Sequence, residues 1–417
     1  MITELPRRNL IASRIVTWVA LLLTLLMVSA CSTGGVSVGS LFSDDEEAKP
    51  NTEQQQAQAQ QPSPFGSTDN GPVKVAILLP LSAQGQTASI GKALKNAAET
   101  ALLDSGSQSI QLITKDTRGN ADGARTAANA ALKEGAKLIL GPLLSSEVQA
   151  IAPIARQKGI PIVAFSSVAG VAGDGVYLMS FLPSEEVSNL IRYAASQNIR
   201  NIAAMIPQSS YGGIAETSLN KAVADNGARI VALDRFPRSV AGVTSASKAM
   251  AGKIANPSNE IQGLFLPEGG SMLANASNGL SAAGVTSGKV RMLGTGLWDE
   301  RSTSNLKLIV GGWYAGVSPN LIARFAERYQ QAYGNTPPRL ASLAYDAVSL
   351  AIIVTRNTPG GVPSAQAITN PEGFKGVNGL FRFRPNGQIE RGLAILEVTP
   401  TGPREISPAP DRFTAGF

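Results

Sequence analysis

The chain has 417 residues, too many for one ordinary domain, and 43% of them are hydrophobic, so two lobes with a large core are expected besides the termini. The net charge is +6, with no dense Lys/Arg run interleaved with aromatics, which argues against a nucleic-acid partner. The absence of histidine removes Ser-His-Asp triads, His-bearing zinc sites and the usual proton shuttle near neutral pH. No metal or cofactor site and no enzyme activity are expected.

The amino terminus, "PRRNLIASRIVTWVALLLTLLMVSAC", has a basic start, an apolar run over residues 15–28 and small residues before Cys31. That layout predicts a secretory signal over residues 1–30, since the apolar run is too short and wrongly flanked for a good spanning helix. The stretch from Met27 to Cys31 resembles a bacterial lipobox, whose cysteine is lipidated and becomes the first residue of the mature protein. Cys31 is the only cysteine in the chain, so it has no internal disulfide partner. Two or more acyl chains give stable anchoring where one does not. Ser32 stands where an inner-membrane retention signal usually has Asp, so the resemblance favours the outer membrane of a Gram-negative cell.

Residues 31–72 are rich in Gln, Ser, Pro and acid and poor in large apolar side chains, as in "SDDEEAKPNTEQQQAQAQQPSPFG". Such a segment cannot bury enough surface to fold, and a disordered tether is predicted. Its typical span would be ~35 Å, reaching ~140 Å when fully stretched.

From Val73 onward apolar runs alternate with helical patterns. Residues 73–79 read as a strand, and Ile90, Ala93, Leu94, Ala97 and Ala101 then share one helical face. Strands at 110–114, 137–140 and 160–165 alternate with helices at 122–134 and 146–158. A second series follows, with helices at 185–197, 214–226, 244–255 and 272–283 and strands at 201–207, 229–236, 261–266 and 290–293. Strands joined by crossover helices build parallel sheets covered on both faces. The predicted fold class is therefore α/β, with two doubly wound lobes whose strand-to-helix loops lie on the ligand-binding edge.

The opening of this region, "VKVAILLPLSAQGQTASIGKALK", has the outline of a phosphate-binding loop. A P-loop needs four residues between its glycines and a hydroxyl after the lysine. Here five separate Gly85 from Gly91, and Ala93 follows Lys92, so nucleotide binding is set aside. Ser-x-x-Lys occurs four times with no Lys-Thr-Gly, which is chance rather than a nucleophile pair.

"LILGPLLSSEV" places Ser145 and Ser146 after a strand and at the start of a helix, where they cap the helix or turn hydroxyls and free amides toward an anion. "IPIVAFSSVAG" repeats the device with Ser166 and Ser167. In "PQSSYGG", Tyr211 is either a surface aromatic or a ring that closes over a ligand from the opposite lobe. Glu268, Trp298 and Asp299 also follow strands, and are either pocket contacts or caps and solvated side chains.

The order "KVAILLPLSAQG", "LILGPLLSS", "IPIVAFSS", "PQSSYGG", "RFAERYQQAYGNTPPRLASLAYDAV" resembles the leucine-binding family of periplasmic binding proteins across nearly all of residues 73–417. The resemblance implies two similar lobes joined by three crossing strands, near 181–184, 313–319 and 376–381. It puts residues 73–183 with 316–376 in one lobe and 184–315 with 377–417 in the other. It also matches Ser146 to the family's serine after the third strand, Ser166 and Ser167 to its carboxylate-binding loop, and Tyr211 to its closing tyrosine. The family's amino-acid binders carry an acid in the "LGTGLWDE" region to hold the ligand's ammonium. The matching positions here are Gly296 and Leu297, with Asp299 displaced, and an unpaired ammonium in a closed pocket is costly.

The lipobox, the Gln-rich tether and "GLFRFRPNGQIERGLAILEVTPTG" further resemble the penicillin-binding protein activator lipoproteins, which contact a peptidoglycan synthase. In that segment Pro385-Asn386-Gly387 predicts a hairpin turn. The sequence reading thus favours a non-catalytic lipoprotein regulating cell-wall synthesis through a penicillin-binding protein. Its alternative is a solute-binding lipoprotein that delivers an amino acid or similar small polar ligand to an ABC permease.

Overall fold

The computed structural model describes residues 71–356 and 363–413. The predicted signal peptide, Cys31 and all but the last two residues of the predicted tether lie outside the described residues. The first sheet is built from β1 (Val73–Leu79), β2 (Ile110–Asp116), β3 (Leu138–Leu140), β4 (Ile162–Ala164) and β5 (Val176–Leu178). All five run parallel, in the order β2-β1-β3-β4-β5. In β1 the side chains alternate between two cores, as the period of two requires. Val75, Ile77 and Leu79 face α1 (Gly85–Ser105) and two later helices, α8 (Pro319–Tyr333) and α9 (Ala341–Arg356). Ala76 and Leu78 face α2 (Ala121–Lys133) and α3 (Ser145–Gln157).

The second sheet repeats this plan. β6 (Asn201–Pro207), β7 (Arg229–Phe236), β8 (Gly263–Phe265), β9 (Arg291–Leu293) and β10 (Trp313–Gly316) run parallel in the order β7-β6-β8-β9-β10. Ala203 and Met205 pack toward α6 (Val240–Ala255) and α7 (Gly270–Ala282), while Ile202, Ala204 and Ile206 pack toward α4 (Pro183–Ser196) and α5 (Ser210–Asp225). In each sheet the chain reverses its winding direction once, between β1 and β3 and between β6 and β8, strands whose following helices cover opposite faces. The crevice at the carboxyl ends of such strands is where open α/β sheets bind ligands.

A local device recurs where helices leave their strands. Asn120, Ser209 and Ser239 cap α2, α5 and α6, and each side chain accepts from the amide of a glycine three residues on, Gly123, Gly212 and Gly242. A Cβ on Gly212 would collide with the Pro207 carbonyl at the end of β6, so only glycine lets α5 start this close to its strand. This cap starts α5 at Ser210, four residues before the predicted start, and puts Tyr211 in the first turn of the helix rather than in a loop.

The carboxy-terminal part adds antiparallel strands to the expected parallel pattern. β11 (Phe374–Gly376), β12 (Gly379–Phe383) and β13 (Ile389–Arg391) form a three-stranded sheet after the short α10 (Ala365–Ile368). The β12–β13 hairpin turns at Pro385-Asn386-Gly387, as predicted, and Gly387 has the left-handed φ of 78°. The Leu178 amide donates to the Gly387 carbonyl at 2.8 Å, so the hairpin tip covers the end of the edge strand β5. The chain ends with β14 (Ala394–Thr399), which pairs antiparallel with β10 and so extends the second sheet, and β15 (Gly402–Ser407), which folds back antiparallel on β14 through a short turn.

Residues 377–417 were assigned to the second lobe from sequence. In the structure Phe374, Phe381, Phe383 and Ile389 share the core of the first sheet, and packing on the second sheet begins at Leu393. The chain passes between the two sheets at residues 179–182, 317–318 and 392–393. The third passage lies after the β12–β13 hairpin, whereas the resemblance put it near 376–381.

Candidate functional site

The loops after β3 and β4 lie at the carboxyl end of the first parallel sheet and those after β6, β8 and β9 at the carboxyl end of the second. On the first lobe's rim, Ser145 and Ser146 are the first two residues of α3, so their amides have no acceptor within the helix. Glu147 closes this turn by accepting from the Leu144 amide at 3.2 Å. Ser146 is exposed, and neither it nor Ser145 has a hydroxyl hydrogen bond to another described residue. Ser167 is likewise exposed and unbonded. Ser166 differs, being buried with its Oγ accepting from the Val168 amide at 3.2 Å. It shapes the loop that presents Ser167.

On the second lobe, the Tyr211 hydroxyl donates to Thr295 Oγ1 at 2.8 Å, so the ring is fastened to the loop after β9. Burial, reinforced by the Glu186 carboxylate, pushes its phenol well above the ordinary range, so it stays protonated. Glu268 is 3% exposed, and Arg238 donates to both its oxygens, at 3.0 and 3.1 Å. Its carboxylate is already engaged.

Trp298 was a candidate ligand contact from sequence. It lies instead in the second lobe's core, 1% exposed, with its Nε1 donating to the Glu268 carbonyl at 3.1 Å. Bare glycines at 294 and 312 make room for the indole, so this ring is a packing element. Asp299 next to it accepts from the Tyr314 hydroxyl at 3.1 Å and lines a cavity of about 560 Å³ with Tyr314, Arg301 and the β14–β15 turn. The surrounding protein raises the Asp299 carboxyl, and the Arg339 charge partly offsets that rise.

Sequence reasoning missed the ion pairs that join the lobes: Arg384 of the β12–β13 turn reaches Glu185 of α4 at 3.1 Å, and a second pair lies deeper. Arg339, just before α9 in the first lobe, donates from Nη2 to Glu186 Oε1 at 2.6 Å. Glu186, in the first turn of α4 in the second lobe, accepts at Oε2 from the Gly296 amide at 2.9 Å. A Cβ at position 296 would run into both the guanidinium and the carboxylate, so the glycine creates the space for this pair. The place where the resemblance called for an acid thus has one, supplied from α4 rather than from position 296, and already paired with a cation. Burial opposes the Arg339 charge, but the Glu186 carboxylate more than compensates and holds its pKa above the ordinary value.

The Arg339 guanidinium also lies 4.0 Å from the centre of the Phe181 ring. Another guanidinium, that of Arg391, lies 5.1 Å from the same ring. Arg391 is buried at the hinge, where its Nε donates to the Ser180 carbonyl at 3.1 Å and its Nη1 stands 3.9 Å from Asp346 Oδ2. Asp346 also accepts from the amides of Val377 and Asn378, at 2.7 and 3.3 Å. Burial pulls Arg391 down to about 10, with Asp346 opposing the drop, so it remains charged at neutral pH. A sequence signal existed here: Asp346 is the one acid in the largely apolar α9 and, once buried, needed a partner.

The site therefore offers unspent hydroxyls and amides on one rim and an ion pair bridging to the other. Among the described residues no group of three or more His, Cys, Asp or Glu side chains could hold a metal. The arrangement is one for binding.

The profile of the family described as periplasmic binding protein matches residues 72–403. The chain is similar to Leu/Ile/Val-binding protein homolog 6 of Brucella abortus (strain 2308), at 23% identity over 353 residues, covering 78% of this chain and 87% of that protein. Its fold is similar to that of a putative branched-chain amino acid ABC transporter from Rhodospirillum rubrum, with a TM-score of 0.70 and 20% identity over 80% of this chain and 100% of that one. It is also similar to a solute binding protein of an ABC transporter from Rhodopseudomonas palustris BisB5 in complex with 3,4-dihydroxy benzoic acid. There the TM-score is 0.61 at 19% identity, over 82% of this chain and 97% of that one. With its two α/β lobes and most of its length matched, the chain belongs to the periplasmic binding protein family and is a binding protein, not an enzyme.

Proposed function

We propose that the chain is the solute-binding member of an ABC transport system, tethered to a membrane through Cys31 and holding a small polar organic solute between its lobes. The single observation that carries this reading is the pairing of two matching sheet crevices, one of them rimmed by free Ser146 and Ser167 hydroxyls and the unpaired amides of α3. The solute-binding names of the similar proteins support it, and they favour transport over synthase activation. Titration calorimetry of the full chain against branched-chain amino acids and aromatic acids tests it. The expected result is one solute per chain, weakened at least about tenfold in Ser167→Ala and in Tyr211→Ala, the usual effect of losing a buried polar or ring contact.

One observation favours the second reading, an activator of a penicillin-binding protein: Arg339 and Glu186 bridge the lobes through the chain's own side chains. That reading gains if no solute binds and the membrane-tethered chain retains a penicillin-binding protein in a pull-down.

A further inference from the structure

Two facts about the bridging pair stand apart from the fold. First, the pair is only partly secluded. The Arg339 side chain is 29% exposed while Glu186 is 5% exposed, so solvent reaches the cation but hardly the anion. Second, the cation is under-used. A guanidinium carries five N–H donors, and among the described residues Arg339 spends one, on Glu186 Oε1. One face lies on Phe181 and Nη2 abuts Gly296, which leaves the Nε and Nη1 donors without a partner among the described residues.

The other arginines around the site are committed. Arg238 gives a two-point contact to Glu268, and Arg391 is enclosed with Asp346 and the Ser180 carbonyl. Arg339 is thus the cation at the junction of the lobes with donors to spare. The anions nearby are Glu186 itself and Asp299, which is already bonded by Tyr314. A planar fork of this kind matches a carboxylate at two points, where a Glu186 contact through one nitrogen does not saturate it.

We infer that Arg339 is the ligand-selecting residue of the cleft: it anchors a solute carboxylate, and Glu186 is the internal carboxylate that holds it until the solute arrives. This rests on the solute-binding reading and adds the charge of the solute to it. A neutral solute cannot displace Glu186 from the fork, and a cationic one is repelled by Arg339. Competition between two carboxylates for one guanidinium also makes an asymmetric demand. Removing the Arg339 charge must weaken binding, whereas removing the Glu186 charge must strengthen it.

The test is calorimetric titration of the full chain with benzoate, benzamide and benzylamine, and with 4-methylpentanoate, its amide and its amine. The wild type should bind the carboxylate of at least one set and prefer it over the amide and amine by at least about tenfold. Arg339→Met should lose that preference, and Glu186→Gln should bind the carboxylate several-fold more tightly. Thermal melts of both variants establish that they are folded, and Arg339→Lys, which keeps charge but not the fork, should fall between wild type and Met. If Glu186→Gln weakens the carboxylate as Arg339→Met does, the pair is merely structural and the inference is overturned. A folded wild type that binds an amide or amine in preference to its carboxylate also overturns it, while leaving the solute-binding reading intact. Binding of no solute at all overturns both.

Discussion

Two arginines flank the Phe181 ring, and their fates differ. Arg391 sits in the hinge, 1% exposed in its side chain against a fully buried Asp346, with its neighbours drawn from α9, β13 and the first passage between lobes. Arg339 sits one ring away at the cleft, 29% exposed and bonded to the opposite lobe. The first pair cannot exchange its partner without opening the core. The second can exchange its partner with anything that reaches the cleft. Burial, rather than residue type, separates a structural guanidinium from a ligand-facing one, and variants at the two positions should differ accordingly.

The largest effect belongs to the hinge. Arg391→Met takes the counter-ion from the buried Asp346, and is expected to cost about 3–5 kcal/mol in urea unfolding. A loss below about 1 kcal/mol would show that the amides of Val377 and Asn378 satisfy Asp346 alone. Next comes Gly296→Ala, which pushes a methyl group into the bridging pair. We expect it to cost about 1–3 kcal/mol, and less when combined with Arg339→Ala, which clears the space. Additive costs in the double variant would contradict the contact.

Arg339→Met alone should cost about 1–2 kcal/mol, less than its hinge counterpart, because solvent reaches the vacated site. Equal losses at positions 339 and 391 would erase the distinction drawn between them.

The smallest effect is a pH dependence on the first lobe's rim. Burial alone would raise Asp116, but hydrogen bonds from Ser82, Arg118 and Leu81 more than reverse this and hold it below its ordinary value. A carboxylate lowered in the folded state stabilises above the unfolded pKa of about 4. That contribution disappears as the pH falls through the folded value. Asp116→Asn should therefore be less stable than wild type at pH 7 by up to about 1 kcal/mol, with the gap narrowing below pH 4. A gap that widens in acid would reverse the sign.

The apolar runs alternating with helical patterns from Val73 onward were local signals, so the two wound lobes were legible from residue types alone, whereas the caps Asn120, Ser209 and Ser239 were passed over and the helix starts were read late. The three-residue strand β5 was too short to show any period. The hairpin turn at residues 385–387 was visible, but its lobe was not. Phe381 and Leu393 read alike in sequence, and only packing puts them in different cores. The candidate serines of the first rim and Trp298 were all proposed from their positions after strands, and that position does not say which way a side chain points: Ser146 and Ser167 are exposed, while the Trp298 ring lies in the core. Arg339 and Glu186 lie 153 residues apart on different lobes, each ordinary in its own neighbourhood, so their pairing exists only in the folded chain.

Hydrogen exchange of the full chain, with and without the tightest-binding carboxylate, tests the central claim that a solute sits between the lobes. The account predicts protection of both rims together, at the Ser145 and Ser146 amides and at the loop of Thr295 and Gly296. Protection confined to one lobe, or to the cavity beside the β14–β15 turn, would contradict it.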